Sequence, residues 1–310
     1  FEASLEEIEP ELLGYVDALS FSLPCTGMGA SGKAKNGIKF AEEHPTDATA
    51  ILGLIRVVDA CQPSILISEN VIPARNSATY ILLKGMLDVC GYHVNEIDLD
   101  SNDTNSMESR RRYWFVATSK GLSQVDLTNF PSFSRDYDQL GDLLDEVPAD
   151  SKMWKSTAEK VRKAAVNKAN GKNFGFNLVD ESVSKIGVSG KGYQKDRASE
   201  VHIAGPNDTM RLLTVNELCL SQSAPVHLVA DTVAGVAYEG LGQGFDYRQG
   251  RGIFQKVATD ICHPLMSGIA RLELPDERME SAPKESLYNA NETIYPCNVT
   301  DRDAQQICLF

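Results

Sequence analysis

Between residues 16 and 119 the chain alternates short apolar runs with stretches of helical period, and this alternation narrows the available folds more than any other feature. "VDALSFS" (16–22), "SILIS" (64–68), "YHVNEIDLD" (92–100) and "YWFVATS" (113–119) read as strands. "TDATAILGLIRVVDACQP" places Ile51, Leu54, Ile55 and Val58 on one helical face, with Thr46 or Asp47 as N-cap and Pro63 as stop. "SATYILLKGMLDVCGY" reads as a second helix closed by Gly91. Strands alternating with helices predict an α/β unit with a mostly parallel sheet, whose ligands bind beyond the carboxyl ends of the strands. Cys25 and Glu69 each follow a strand, so neighbouring strands would bring thiol and carboxylate together.

After residue 120 the pattern changes. Residues 121–210 are polar, rich in Gly, Ser, Asn and Lys, and weakly periodic, as expected of a smaller irregular module. Apolar character returns at "RLLTVNELCL" and at "FQKVATDICHPLMSGIARLEL", a helix candidate with Val257, Ile261 and Leu265 on one face and a kink or boundary at Pro264. Pro275, Pro283 and Pro296 punctuate a polar ending. The expected division is a partial catalytic α/β lobe over 1–120, a second domain over 121–215, a return to the first lobe over 216–270, and a polar extension over 271–310.

No apolar stretch approaches the ~18 residues of a membrane span, so no membrane partner is expected. The seven cysteines are scattered without zinc-ligand spacing, which predicts no metal site and reduced thiols in the cytoplasm. A net charge of −13 argues against a nucleic-acid binder. Residues 151–200 oppose that balance: eleven Lys/Arg against five Asp/Glu give +6. Two readings stay open for "KMWKSTAEKVRKAAVNKANGK": a solvated lysine-rich helix or a phosphate-contacting patch.

Three stretches carry chemistry. "SLPCTGMGASGKAKNG" presents Cys25 at the mouth of a glycine-rich loop. "SENV" carries Glu69, and "ESRRRYWFVAT" carries Arg110 and Arg112 into a strand. A thiol with an unperturbed pKa near 8.5 needs activation, which nearby arginines supply. A carboxyl group in a poorly hydrated pocket keeps or shares a proton. Thiol attack on one side of a planar ring activated at the other is covalent catalysis on a base.

These blocks resemble, in order, those of the DNA cytosine-C5 methyltransferases. "PCTGMGASGKAKNG" is similar to the nucleophile block, "SENV" to the glutamate-asparagine-valine block and "ESRRRYWFVAT" to the glutamine-x-arginine-x-arginine block. "RLLTVNEL" is similar to the leucine-threonine-x-x-glutamate block, and "YRQGRGIFQKVATDI" to the final one. Thr26, Gly29, Glu108 and Arg251 depart from the usual residues.

The resemblance implies an α/β fold: a Rossmann-like S-adenosylmethionine-dependent methyltransferase sheet, N-terminally incomplete, with a smaller irregular target-recognition domain at 121–215. It implies that Cys25 attacks C6 of a flipped cytosine and that Glu69 contacts N3 and the exocyclic amine. Arg112 would hold O2, and Arg110 would order the thiol and a phosphate. Pro24, Gly32, Lys33 and Asn70 complete the implied substrate-binding set. S-adenosyl-L-methionine is the implied cofactor and double-stranded DNA the partner. The family's glycine-rich cofactor block is not legible here, so the expectation is a C-terminal portion whose cofactor site is completed by an N-terminal segment or subunit. The implied setting is a prokaryotic or phage restriction-modification system, cytoplasmic and nucleoid-associated. The alternatives are a non-catalytic or partner-dependent DNA-binding relative, and an RNA-methylating relative. The cysteine-phenylalanine-threonine signature of the transfer-RNA branch is absent from the chain.

Overall fold

The computed structural model describes residues 7–25, 27–28, 36–40, 43, 45–171 and 175–266. The chain divides into two compact units. The first comprises residues 1–98, 112–130 and 253–310, and the second comprises residues 99–111 and 131–252.

Unit one is built on a four-stranded sheet. Its elements are β1 (Ala18–Phe21), α1 (Pro45–Cys61), β2 (Ile65–Asn70), α2 (Ala78–Val89), β3 (Tyr92–Leu99) and, after a one-turn helix α3 (Ser101–Thr104) in unit two, β4 (Arg112–Ser119). The strand order is β1-β2-β4-β3. β1 and β2 run parallel, with Phe21 beside Ser68, because α1 carries the chain back across the sheet. β4 runs antiparallel to β2, with Glu69 beside Trp114 and Asn70 beside Tyr113. The sheet is therefore mixed rather than mostly parallel. The one-turn α3 is the only helix between β3 and β4, too short for a crossover helix.

α1 begins at Pro45, ahead of the expected cap at Thr46 or Asp47, since the fixed φ of proline suits a first helical position. α2 is capped by Ser77, whose hydroxyl accepts from the Tyr80 amide. Gly91 follows its end at φ +85°, where a side chain would be strained.

The core of unit one joins Leu19, Phe21, Leu54, Leu66, Leu83, Leu87 and Phe115. Every residue of β2 is buried, as expected of a central strand covered on both faces. β2 extends through Glu69 and Asn70, so Glu69 lies within the strand rather than after it.

Unit two carries a small sheet of β5 (Lys155–Ser156), β6 (Leu178–Val179), β7 (His202–Gly205) and β8 (Thr209–Arg211), in the order β5-β8-β7-β6. Its helices are α4 (Ala158–Ala169), α5 (Val215–Ser221) and α6 (Ala234–Gln243). Leu140, Ile186, Tyr193, Ile203, Leu213 and Leu218 form its core.

α7 (Tyr247–Val257) starts earlier than the apolar pattern suggested, because the Asp246 carboxylate accepts from the Arg248 and Gln249 amides. It widens into a π-helical turn at Ala258–Cys262, ahead of α8 (His263–Met266), which contains Pro264. Proline there removes one ladder donor, and the wider turn absorbs the defect. The polar extension at 271–310 lies outside the described residues. Among the described residues no helix is long and apolar enough to cross a membrane.

Candidate active site

β2 ends in the buried polar run Ser68-Glu69-Asn70. A buried strand does not carry three polar side chains without partners, because each unpaired group costs about 1–3 kcal/mol. All three have partners, and together these define the site.

Glu69 is 9% exposed. Its Oε1 meets Arg112 Nε at 2.7 Å, with both side chains largely buried. The Ser22 hydroxyl lies 3.3 Å from Glu69 Oε2 and 3.0 Å from the Glu69 carbonyl, so it donates to one or the other. Asn70 is 2% exposed. Its amide nitrogen donates to the Leu23 carbonyl at 2.8 Å and to the Tyr80 hydroxyl at 3.1 Å, and its Oδ1 accepts from the Val71 amide at 2.8 Å. Ser68 pairs with the same Tyr80 hydroxyl at 3.1 Å.

The exit of β1 is thus stitched to the end of β2 by Ser22 and by the Leu23 carbonyl. Two residues beyond Leu23 the chain presents Cys25, which is exposed, while the Cys61 and Cys219 thiols are buried and pushed up by that burial. The Cys25 carbonyl closes a turn by accepting from the Met28 amide at 3.0 Å. Burial drives the Tyr80 phenol well above its ordinary range against hydrogen bonds from Ser68 and Asn70. The charges of Glu69 and Cys25 add to that rise, so thiol and carboxylate both bear on one phenol.

The sequence-derived candidates divide accordingly. Cys25, Glu69, Arg112 and Pro24 lie at one end of the β1-β2-β4 sheet. Asn70 lies there too, with its amide committed to the Leu23 carbonyl, the Tyr80 hydroxyl and the Val71 amide. Gly32 and Lys33 lie outside the described residues.

Arg110 belongs to unit two and is fully buried. Its Nε donates to Glu108 Oε1 at 2.9 Å, and its Nη1 and Nη2 donate to the Gly244 and Ser189 carbonyls at 2.6 Å each. Those contacts hold the Arg110 guanidinium inside unit two, out of solvent. Ser22 and Tyr80 were not singled out from the sequence. Ser22 reads there as an ordinary strand residue and Tyr80 as a core position of a helix.

Two other blocks prove structural. Thr214 and Glu217 form a capping box at the start of α5, and Glu217 also grips Arg211 through two contacts of 2.6 Å. In the final block, Gln249 donates to the Arg110 carbonyl at 2.7 Å.

A nucleoside-type cofactor needs a glycine-rich strand-to-helix turn and a nearby acidic residue. Among the described residues, no strand-to-helix turn of the unit-one sheet is glycine-rich apart from the loop after Cys25. A cleft of about 150 Å³ in unit two, lined in part by Lys155, Asp196, His202 and Arg211, is too small for such a group. No described residue is therefore assigned to a methyl-donor pocket. Among them, no group of three His, Cys, Asp or Glu could hold a metal ion.

One end of the mixed unit-one sheet thus carries a thiol, a buried carboxylate and a paired guanidinium, the groups that the resemblance to the cytosine methyltransferases calls for. The comparisons with known proteins agree. The family model for C-5 cytosine-specific DNA methylase matches residues 2–244, and the chain belongs to that family. Type II methyltransferase M1.ScrFI of Lactococcus lactis subsp. cremoris is 24% identical over 235 residues, covering 73% of this chain and 58% of that protein. Type II methyltransferase M.NlaX of Neisseria lactamica is 26% identical over 235 residues, covering 73% of this chain and 71% of that protein. The chain thus spans little more than half of M1.ScrFI. Among solved structures, the S. pombe Dnmt2 methyltransferase aligns with a TM-score of 0.65 at 16% identity, covering 84% of each chain. The Entamoeba histolytica methyltransferase EhMeth aligns with a TM-score of 0.64 at 16% identity, covering 84% of this chain and 81% of that one. The likeness to these two is one of fold.

Proposed function

We propose that this chain methylates cytosine at C5 in double-stranded DNA through a covalent adduct between Cys25 and C6. The observation that carries the reading is the pairing of a nearly buried Glu69 with Arg112 at 2.7 Å beside the Cys25 loop. What sets this pair apart from the buried Glu108–Arg110 and Glu217–Arg211 pairs is its place at the strand end that Ser22 and Leu23 tie to the Cys25 segment.

The steps assigned to this chain are those on the base. A cytosine taken out of the stack enters beside the loop. The Cys25 thiolate adds to C6, forming the S–C6 bond and shifting the C5–C6 electron pair into the ring toward N3. The Glu69 carboxyl, oriented by Arg112 and Ser22, meets N3 and the exocyclic amine and offsets that charge by a proton or hydrogen bond. Arg112 holds the O2 edge. The pair then returns to C5, which becomes the nucleophilic carbon. Once C5 had gained the methyl group, with the pair at C5 forming the new C–C bond and the donor leaving as its neutral thioether, loss of the C5 proton to a base and expulsion of the Cys25 thiolate from C6 would restore the C5–C6 double bond. S-adenosyl-L-methionine is the methyl donor that the family implies, and it supplies an electrophilic methyl group. No described residue is assigned to holding it.

The duplex would rest against unit two, the expected target-recognition domain. No residue of α4 is buried, and Arg162, Lys163 and Lys168 on it are exposed, as is Lys152 just before it. Lys155 and Lys160 are instead drawn to Asp196 at 2.8 and 2.9 Å. The former group is the phosphate-facing candidate. The M1.ScrFI and M.NlaX names place those relatives in Type II systems, and we extend that restriction-modification setting to this chain.

The test is transfer of labelled methyl from S-adenosylmethionine. 5-Methylcytosine in duplex DNA, lost in Cys25→Ser, is the expected product. Label in transfer RNA alone, or in adenine, would overturn the reading.

A further inference from the structure

We infer that Tyr80 is a positioning residue for the Cys25 thiol, its phenol oxygen fixing the Asn70 amide that holds the Leu23 carbonyl. The inference rests on the reading of Cys25 as nucleophile. Tyr80 is fully buried in the first turn of α2. Its ring is wedged edge-on against Tyr113 and Phe115, with centroids 5.7 and 6.1 Å away. That packing leaves the phenol little freedom. Its oxygen accepts one Asn70 amide hydrogen at 3.1 Å and pairs with Ser68 on its other side.

A primary amide has two N–H donors and one carbonyl oxygen. Here one donor goes to Tyr80, the other to Leu23, and the oxygen takes the Val71 amide. The group is saturated in one orientation only. A flipped amide would turn its oxygen toward the Leu23 carbonyl and its N–H toward the Val71 N–H, both repulsive. Without the phenol oxygen, one buried donor is orphaned and the orientation loses an anchor. Leu23 then loses its fixed donor, and Cys25, two residues on, loses its register against Glu69. A tyrosine in a helix core is ordinarily a space-filler whose hydroxyl finds any partner. This one shares its partner with the loop that carries the thiol.

The test needs neither DNA nor methyl donor, so its failure is separable from failure of the methyltransferase reading. Hydrogen exchange at the Met28 amide, which closes the turn on the Cys25 carbonyl, is measured together with iodoacetamide labelling of Cys25. Tyr80→Phe keeps the ring and removes only the oxygen. The expected result is Met28 exchange faster by about tenfold, corresponding to one lost hydrogen bond, with faster labelling of Cys25. Ser68→Ala, which spares Asn70, leaves both rates within about twofold.

Asn70→Ala produces the same loosening as Tyr80→Phe, and Tyr80→Phe adds nothing on the Asn70→Ala background. If Tyr80→Phe fails to fold, Asn70→Ala against Ser68→Ala carries the test. Wild-type rates in a folded Tyr80→Phe would overturn the inference. So would equal loosening by Ser68→Ala, or additive effects of Tyr80→Phe and Asn70→Ala.

Discussion

Glu69 and Arg112 act as a pair, and each restricts what the other can do. At 2.7 Å, with both side chains about nine-tenths buried, neither can be removed without stranding its partner. Arg112→Ala is therefore expected to lower methyl transfer about 10²–10³-fold, the scale seen when one preorganised donor is lost from a charge-stabilising site. Single-turnover assays at saturating DNA read this directly, and an unchanged rate would remove Arg112 from the site. Cys25, Glu69 and Arg112 could be picked out as candidates because each has a distinct chemistry within an ordered block. Ser22 and Tyr80 could not, since their roles exist only once β1, β2 and α2 are side by side. Arg110 was legible as a charge, but its buried partners Glu108, Ser189 and Gly244 were not. It lies two residues before Arg112, and strand alternation would aim both the same way. β4 starts only at Arg112, so the alternation does not reach Arg110.

The elements of unit two are joined by a buried polar latch. Glu108 and Arg110 have no exposed surface, and they bind each other as well as Ser189, Gln222 and Gly244. Removing one ion of such a pair leaves a buried charge uncompensated. Arg110→Met is expected to destabilise unit two by about 3–5 kcal/mol, and Glu108→Gln with Arg110→Met to recover part of that loss. Urea unfolding followed at Trp154 measures both, and equal stability of the single and double variants would contradict the latch. Gly242 sits in the same joint: a Cβ there would overlap the Gly190 carbonyl, so Gly242→Ala must displace backbone. Four of the unit-one strands and both of its long helices could be placed from periodicity alone. The mixed direction of the sheet could not, because strand direction depends on what fills the connection and not on the strand's own pattern.

On the scale of the whole molecule, an acidic chain of net charge −13 concentrates its positive charge in one stretch. If α4 meets phosphate, replacing Arg162, Lys163 and Lys168 by alanine should weaken duplex binding at all sequences. It should also flatten the salt dependence by about 0.9 in log–log slope per lost contact. An unaltered slope would make α4 a solvated helix. Asp196 gives the same unit a pH limit. Burial works against its charge, yet hydrogen bonds from Lys155, Lys160 and His202 prevail and hold it far below the ordinary carboxylate range. A depressed folded-state pKa contributes stability above the unfolded value, near pH 4, that is lost as pH falls through the folded one. Wild type should lose stability below about pH 4 more steeply than Asp196→Asn in urea titrations across that range. Parallel curves would exclude the network.

The adduct is the most direct test. Duplex DNA with cytosines randomly replaced by 5-azacytosine, whose C6 is more open to thiol addition, is incubated with the protein, digested and analysed by mass spectrometry. One nucleotide linked to Cys25 is expected in the wild type and none in Cys25→Ser. Slower capture is expected in Glu69→Gln. An adduct on another cysteine, or none at all in folded protein that binds the duplex, would contradict the Cys25–C6 adduct.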